Sequence, residues 1–182
     1  MVKKGKKKDW FPIVVKPFNK EITKTLADEP EKLIGRELSV SLLELINDFN
    51  KYYMKFSFKI KKVEDGKAIA EFHGSECLRD YISRMVVRRV RRIDVIQTLE
   101  TKDKVKIRVK SLVVVSKRVK STMEKTIRKK VEEIIKDFVE NSRLEEFVQK
   151  IISDEIKNKV VKEVSKIYPV RHFEIRKTEV LS

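Results

Sequence analysis

The chain has 182 residues, of which 40% are charged, and its formal net charge is +16 at pH 7. An excess of this size favours a large anionic partner, namely nucleic acid, an acidic membrane surface or an acidic protein. No apolar run approaches the roughly 20 residues that span a bilayer, and the single cysteine, Cys77, excludes a disulfide within the chain. We therefore expect a soluble, cytosolic protein that binds a polyanion.

The N-terminal segment is strongly basic. Residues 1–8, MVKKGKKK, carry five lysines and nothing to bury, so we expect them to be disordered alone. They are either a solubilising tail or, as the overall charge favours, an arm that becomes ordered against phosphates. Residues 9–18, DWFPIVVKPF, contain two prolines and are predicted to be extended. Trp10 and the neighbouring phenylalanines would either stack on exposed bases or anchor the arm to its own domain.

Three strands and one short helical turn are predicted in the next part of the chain. The run LIGRELSV is predicted as a strand, and SLLELIND as a helical turn that begins at Ser41. Apolar and polar residues alternate over 53–61, and the strand AIAEFHG returns after Asp65-Gly66, a pair typical of two-residue hairpin turns. Ser75 follows as the expected N-cap of the next helix. A β-hairpin that leads into a helix is therefore predicted.

The segment from Leu78 to Asp94, LRDYISRMVVRRVRRID, is predicted to be an amphipathic helix. Its apolar arc would face the core, whereas Arg84, Arg88 and Arg91 would share the opposite arc at i, i+4 and i+7. Arg89 fits badly, so either the helix ends near it or its long stem passes apolar neighbours. A planar guanidinium suits phosphate oxygens. This segment is therefore the main candidate for binding an anion, and a solvated charged face is the alternative.

Two further strands are predicted at residues 93–99 and 105–116. The outward face of the second strand is uniformly cationic, and it is either a solvated face or a second surface that follows phosphates. The strand ends at a basic cluster that consists of Lys117, Arg118 and Lys120.

The last third of the chain is predicted to be mostly helical. Capping-box patterns at Ser121 and Ser142 precede two amphipathic helices, and a third helix is expected after Ser153. The run VRHFEIRKTEV is predicted as a closing strand. Without an internal repeat or a flexible linker, these elements predict one α+β domain over residues 21–182, preceded by a basic and aromatic extension, residues 1–20.

The residues that usually carry chemistry are scarce. His73 and His172 are far apart in sequence, and with one cysteine they do not make the four-ligand set of a structural zinc site. Neither G-x-S-x-G nor a glycine-rich phosphate loop occurs. Adjacent glutamates on the predicted helices have lysines at i, i+4, which is typical of a salt-bridged face. We therefore predict no catalytic residue, no metal ligand and no cofactor, and we do not expect an enzyme.

Short runs along nearly the whole chain occur in the order typical of one family. They are KKDWF, LIGR, VSL, FHG, RDY, IYP and IRK, which begin at residues 7, 33, 40, 72, 79, 167 and 175. Together they resemble the archaeal and eukaryotic small-subunit ribosomal protein family "one", formerly called three-A-e, in an archaeal-like short form. Lys104 departs from the family pattern, because a glycine usually follows Asp103 there.

The resemblance implies a small β-barrel-like sheet, antiparallel or mixed, with flanking helices. It implies a place on the platform of the small ribosomal subunit, near the messenger exit and the 3′ end of the ribosomal RNA, and hence a cytoplasmic protein within the ribosome. The expected partners are small-subunit ribosomal RNA, neighbouring small-subunit proteins and messenger RNA at the exit, with no membrane. The resemblance implies no catalytic role.

We therefore expect a rigid body whose cationic face and tail bind folded ribosomal RNA through its shape and backbone. The arginines of residues 78–94 would bridge phosphates, and the N-terminal lysines would thread between RNA segments. The expected RNA-binding residues are Lys3, Lys4, Lys6, Lys7, Lys8, Trp10, Arg36, Arg79, Arg84, Arg88, Arg89, Arg91, Arg92, Lys117, Arg118 and Lys120. A free-standing nucleic-acid chaperone and an RNA-processing factor are the alternatives.

Overall fold

Alternating apolar residues in the strands and apolar stripes on the helices build an α+β fold. The computed structural model describes residues 8–117 and 119–181. The strands and α-helices in this part of the chain are β1 (Asp9–Val15), β2 (Lys20–Ala27), β3 (Glu37–Ser41), α1 (Leu42–Ile46), β4 (Met54–Glu64), β5 (Lys67–Cys77), α2 (Arg79–Met85), β6 (Arg91–Glu100), β7 (Lys106–Val115), α3 (Ser121–Glu140), α4 (Leu144–Ile152), α5 (Glu155–Ser165) and β8 (Val170–Leu181).

The strands form a mixed sheet, in which β1 and β5 run parallel, whereas the pairs β1–β2, β3–β4, β6–β7 and β7–β8 run antiparallel. Over the described residues this sheet is not closed into a barrel. The predicted α+β class with a mixed sheet is confirmed. The chain divides into two compact units, residues 1–74 and 75–182. The predicted division into an extension, residues 1–20, and one domain, residues 21–182, stays a prediction.

Aromatic side chains pack together in the first unit. β1 pairs antiparallel with β2 and parallel with β5, and β3 pairs antiparallel with β4. Alternation along β4 and β5 places Phe56, Phe58 and Phe72 on a buried face, with ring centroids between 5.3 and 6.4 Å apart in edge-to-face geometry. Such ring contacts add to the free energy of apolar burial. The strand predicted over 53–61 and its return strand are confirmed.

The turn between β4 and β5 has the geometry that the Asp-Gly pair predicts. β4 ends at Glu64 and β5 begins at Lys67, so the loop has two residues. Asp65 and Gly66 both adopt positive φ, 48° and 73°. Positive φ at both central residues is the type I′ turn, whose twist matches that of the flanking strands. The hairpin is therefore specified locally.

Replacing Gly66 with alanine should destabilise the protein by about 1–2 kcal/mol, because a Cβ is disfavoured at left-handed φ. The Cβ itself would meet no atom within 4 Å, so backbone strain alone is expected to account for the loss. Urea unfolding of the Gly66→Ala variant measures the change in free energy. Asp65→Asn is the matched control and should be nearly neutral, since Asn-Gly suits the same turn. Equal stability of Gly66→Ala and the wild type would contradict this assignment.

Two parts of the first unit differ from the sequence-based expectation. The run LIGRELSV is not extended throughout, because Pro30–Leu33 form a 3-10 helix, Gly35 has φ 87°, and β3 begins only at Glu37. A proline at the start of the 3-10 helix and a left-handed glycine interrupt the extended backbone. β2 was not predicted at all. Its residues, KEITKTLA, are mostly exposed, so no buried apolar face marks them as a strand in the sequence. They form a strand because their backbone pairs with β1.

Among the described residues, the second unit contains the end of β5, the strands β6, β7 and β8, and the helices α2, α3, α4 and α5. β7 pairs with β6 and β8, and α3 and α5 pack against β6 and β8. The predicted apolar stripe of α3 is buried, as Ile127, Val131 and Ile135 show. The turn that leads into β7 places Lys104 at φ 60°, a conformation that glycine adopts more readily. In the described part of the chain, no helix has the length and apolar character needed to cross a bilayer.

The capping box predicted at Ser121 is not formed. Lys120 is the N-cap residue of α3, and no side chain caps the helix. The glutamate of the predicted box, Glu124, instead accepts a hydrogen bond from the Arg91 guanidinium. A long-range ion pair has therefore replaced a local cap.

The other predicted caps are displaced. The box expected at Ser142 is not formed: Arg143 is the N-cap residue of α4, its side chain has no acceptor, and only its backbone N–H donates to Glu146 Oε2, at 3.1 Å. Ser75 is not an N-cap, because β5 continues through it. Its backbone N–H donates to Thr178 Oγ1 at 3.0 Å, and the two hydroxyl oxygens lie 2.8 Å apart. Ser75 therefore forms hydrogen bonds with the buried Thr178 on β8, and it does not accept from a backbone N–H at the start of a helix.

Candidate nucleic-acid interface

The arginine-rich segment is not one helix, which corrects the prediction for residues 78–94. α2 ends at Met85, and residues 86–90 form a turn, the arginine turn, in which Arg89 has φ 71°. β6 then begins at Arg91. The valines in the turn are β-branched and weaken a helix, and the residues that follow pair with β7 as a strand that buries Ile93 and Val95. The poor fit of Arg89 to the helical wheel indicated this helix end.

Three arginines of this segment are exposed and can bind an external anion. The side chains of Arg84, Arg88 and Arg89 form no ion pair and no hydrogen bond with the described residues. A guanidinium without a protein partner keeps its five N–H donors for phosphate oxygens. The turn changes their arrangement, because Arg84 lies at the end of α2 and the other two lie on the loop. Their common location in one short segment remains.

A groove joins the arginine turn to the first turn of α3. It is lined by Arg88, Arg89 and Arg91, and on the other side by Ser121 and Glu124. The Glu124 hydrogen bond raises the pKa of Arg91, and the same bond lowers the pKa of Glu124. Both groups are therefore charged at neutral pH. The uncapped helix start adds backbone N–H groups and the positive end of its dipole to this groove.

Besides Arg91, two of the expected RNA-binding arginines already have partners within the protein. Arg92 donates to the Asp94 carboxylate through Nε at 3.0 Å and through Nη2 at 2.7 Å. In the first unit, Arg36 Nη1 donates to Thr25 Oγ1 at 3.1 Å and to the Leu26 carbonyl at 3.0 Å. These contacts leave fewer donors for RNA than Arg84, Arg88 or Arg89 have. Both arginines thus have structural roles beside the predicted one.

The other expected residues are exposed or lie outside the described residues. Trp10 is 63% exposed and faces Leu26 across the β1–β2 ladder. Its ring is therefore open to a stacking partner, and its predicted contact with RNA stays a prediction. Lys8, Arg79, Lys117 and Lys120 are also exposed. The predicted residues that lie outside the described part of the chain are Lys3, Lys4, Lys6, Lys7 and Arg118.

Three cations that were not predicted lie close to two that were. Lys110, Arg176 and Lys177 line a cleft in the second unit together with Arg79 and Arg92. The cationic outward face of β7 was the only sequence signal for Lys110. No local pattern indicates that residues 66 positions apart on different strands share a site. Tertiary structure alone brings these residues together.

The structure offers little reactive chemistry in the second unit. Cys77 is buried, and this burial raises the pKa of its thiol to about 12. The thiol is therefore protonated at neutral pH and a poor nucleophile. Among the described residues, no group of three His, Cys, Asp or Glu side chains is placed to hold a metal ion.

Comparison with known proteins gives full-length matches. The sequence profile of the Ribosomal S3Ae family matches residues 1–182. The small ribosomal subunit protein eS1 of Methanopyrus kandleri is 36% identical over 98% of this chain and 87% of its own length. The proteins of that name from Desulfurococcus amylolyticus and Methanocaldococcus jannaschii are each 35% identical over 98% of this chain, and the matches cover 84% and 82% of their own lengths.

Proposed function

The chain belongs to the ribosomal S3Ae family, and from this premise we propose that it is a structural component of the small ribosomal subunit that binds small-subunit ribosomal RNA. The observation that carries the proposal is the match to proteins named small ribosomal subunit protein eS1, which covers 98% of this chain and 87% and 84% of two relatives' own lengths. The family is structural and non-enzymatic, so the prediction that the chain is not an enzyme is confirmed.

The arginine turn supports RNA as the partner. Arg84, Arg88 and Arg89 present guanidinium groups without competing carboxylates in the described part of the chain. Phosphate is a geometric match for that planar group. The deep, narrow groove of duplex RNA admits few side chains, so recognition is expected to use backbone and shape. Exposed guanidinium groups on a folded surface meet that requirement without reading sequence.

We further propose a place on the platform of the subunit, near the messenger exit, as the family resemblance implies. Neighbouring small-subunit proteins and messenger RNA at the exit would then be partners, and the cytoplasm would be the compartment. The N-terminal lysines, between residues 3 and 8, would extend the RNA contact. The net charge of +16 supports an extensive contact of this kind.

Sedimentation tests the proposal. An epitope-tagged copy, expressed in the organism that encodes the chain, should migrate with small subunits in a sucrose gradient and remain bound after a moderate salt wash. Cross-linking followed by sequencing of the attached RNA should recover small-subunit ribosomal RNA, with reads concentrated near its 3′ end. Migration at the top of the gradient, with many unrelated RNAs attached, would contradict the proposal and would instead indicate a free nucleic-acid chaperone.

A further inference from the structure

A cleft of about 430 Å³ in the second unit is lined mainly by cations. The end of β5, α2 and the three strands β6, β7 and β8 all contribute to it. One acid, Glu76, and three small or apolar residues complete the lining. We call it the cationic cleft, and its basic residues are Arg79, Arg92, Lys110, Arg176 and Lys177.

Two lysines of the cationic cleft lie directly opposite each other. Lys110 and Lys177 are register partners in the β7–β8 ladder, an arrangement that is destabilising for like charges. Glu179 offsets it in part, because its carboxylate accepts from Lys110 Nζ at 3.0 Å and from Lys177 Nζ at 2.9 Å. One carboxylate balances only one of the two charges. The strand pair therefore retains a net positive charge that a bound anion would neutralise.

Among the described residues, two arginines of the cationic cleft have no ion-pair partner. The Nε of Arg176 is buried and has no hydrogen-bond partner in the described part of the chain. A buried donor without an acceptor is costly, more so when it carries charge. Arg79, in the first turn of α2, is exposed and forms no ion pair with the described residues. A phosphate in the cleft would supply acceptors for both guanidinium groups.

The rest of the lining indicates which phosphate compound fits. Ile82 and Cys77, both buried side chains, form an apolar part of the wall. A bare ion would make no use of that surface, whereas a sugar or a base would cover it. The volume lies within the roughly 300–1,000 Å³ of sites for small molecules. An intact duplex presents only its outer backbone, but an unpaired nucleotide can enter a cleft.

We infer that the cationic cleft binds one unpaired nucleotide of RNA. Its phosphate contacts Arg79 and Arg176, and its sugar or base lies against Ile82 and Cys77. The inference rests on the proposed function, since ribosomal RNA supplies the nucleotide. The cationic cleft would thus be a second RNA contact area, in addition to the arginine turn. Binding of a phosphate would explain why cations from strands far apart in sequence converge there.

Binding of an in vitro transcript of the small-subunit ribosomal RNA tests the inference. The dissociation constant is measured by filter binding between 0.1 and 0.4 M KCl for the wild type, Arg79→Gln, and Arg176→Gln with Lys177→Gln. Each lost phosphate contact should weaken binding about tenfold and make the logarithmic salt slope about 0.7 shallower. Arg79 is exposed, so the Arg79→Gln variant keeps the test valid even if the double variant unfolds.

A matched control separates the cleft from general charge. Lys129→Gln with Lys162→Gln removes two positive charges, as Arg176→Gln with Lys177→Gln does. These two lysines are exposed on α3 and α5 and form no ion pair with the described residues. In addition, acylation of RNA 2′-hydroxyls should show one unpaired position that the wild type protects and Arg79→Gln exposes.

The outcomes are distinct. If the wild type does not bind the transcript, the proposed function fails. If the wild type binds and both cleft variants bind like the control, with no change in acylation, the inference about the cleft is overturned while the proposed function stands. In that event an acidic segment of a neighbouring protein would be the alternative occupant.

Discussion

Reversing the charges of Arg84 and Arg88 together is expected to abolish incorporation of the protein into small ribosomal subunits while leaving its fold intact. Both side chains are exposed and have no partner among the described residues, so no internal contact is lost. The change replaces two phosphate-binding groups by two that repel phosphate. Arg84 lies in the last turn of α2, where an acidic residue opposes the helix dipole, but that effect costs less than about 1 kcal/mol.

Incorporation is measured as the fraction of tagged protein that migrates with small subunits in a gradient. Circular dichroism and urea unfolding of the purified Arg84→Glu, Arg88→Glu variant check that the fold is retained. Lys129→Glu with Lys162→Glu makes the same change in net charge at exposed helical sites and should leave incorporation nearly unchanged. Normal incorporation of the arginine variant would refute the assignment of the arginine turn to RNA.

The second large effect is expected for stability, at an ion pair between α5 and β8. The Glu174 side chain is only 7% exposed, and it accepts hydrogen bonds from Lys157 Nζ and, at 3.3 Å, from the Tyr81 hydroxyl. Burial raises the pKa of Glu174, and the Lys157 contact opposes that rise. The Lys157 ammonium group therefore favours the charged form of Glu174, which burial disfavours. Lys157→Met should destabilise the protein by about 3 kcal/mol at pH 7, because a buried charge loses its partner.

The pH dependence of this loss has a definite sign. A carboxyl whose pKa is higher in the folded than in the unfolded protein favours folding at low pH and opposes it as pH rises above the ordinary value of 4.5. Without Lys157 that upward displacement of the Glu174 pKa is larger. The stability deficit of Lys157→Met should therefore shrink as pH falls from 7 towards 4.5, where Glu174 becomes protonated. Urea unfolding at several pH values measures it.

Glu174→Gln is the control for the same pair. It removes the buried charge and leaves Lys157, whose side chain is 32% exposed and can be solvated. The amide oxygen can still accept from Tyr81. We therefore expect a much smaller loss than for Lys157→Met at pH 7. Equal losses for the two variants, independent of pH, would show that packing rather than charge accounts for the effect.

Local patterns were sufficient wherever a single element carries its own signal. The Asp65-Gly66 turn was predicted because its backbone conformation depends on two adjacent residues. The stripes of α3, α4 and α5 were predicted because each helix buries one face at a period of 3.6 residues. The high positive charge and the family resemblance indicated a nucleic-acid partner. Both can be read from the sequence, because neither depends on how distant parts of the chain pack.

The local reasoning failed where a distant residue competes for a group. Glu124 was expected to cap α3, but Arg91 is a stronger, charge-assisted partner from another element. Ser75 was expected to cap a helix, but Thr178 is its partner, 103 positions away. The helix expected over residues 78–94 ends at Met85, because the chain from Arg91 onwards pairs with β7 as a strand and buries Ile93 and Val95.

The amino-acid sequence by itself thus determined the charge, the elements with strong periodicity and the family, since these follow from residues that are neighbours along the chain. The tertiary structure alone decided which arginines are free. Arg92 is ion-paired with Asp94 and Arg91 with Glu124, whereas Arg84 has no acidic partner among the described residues. It also decided that five cations meet in one cleft. The physical reason is that electrostatic pairing depends on distance in space, and strand register brings together side chains that no sequence pattern relates.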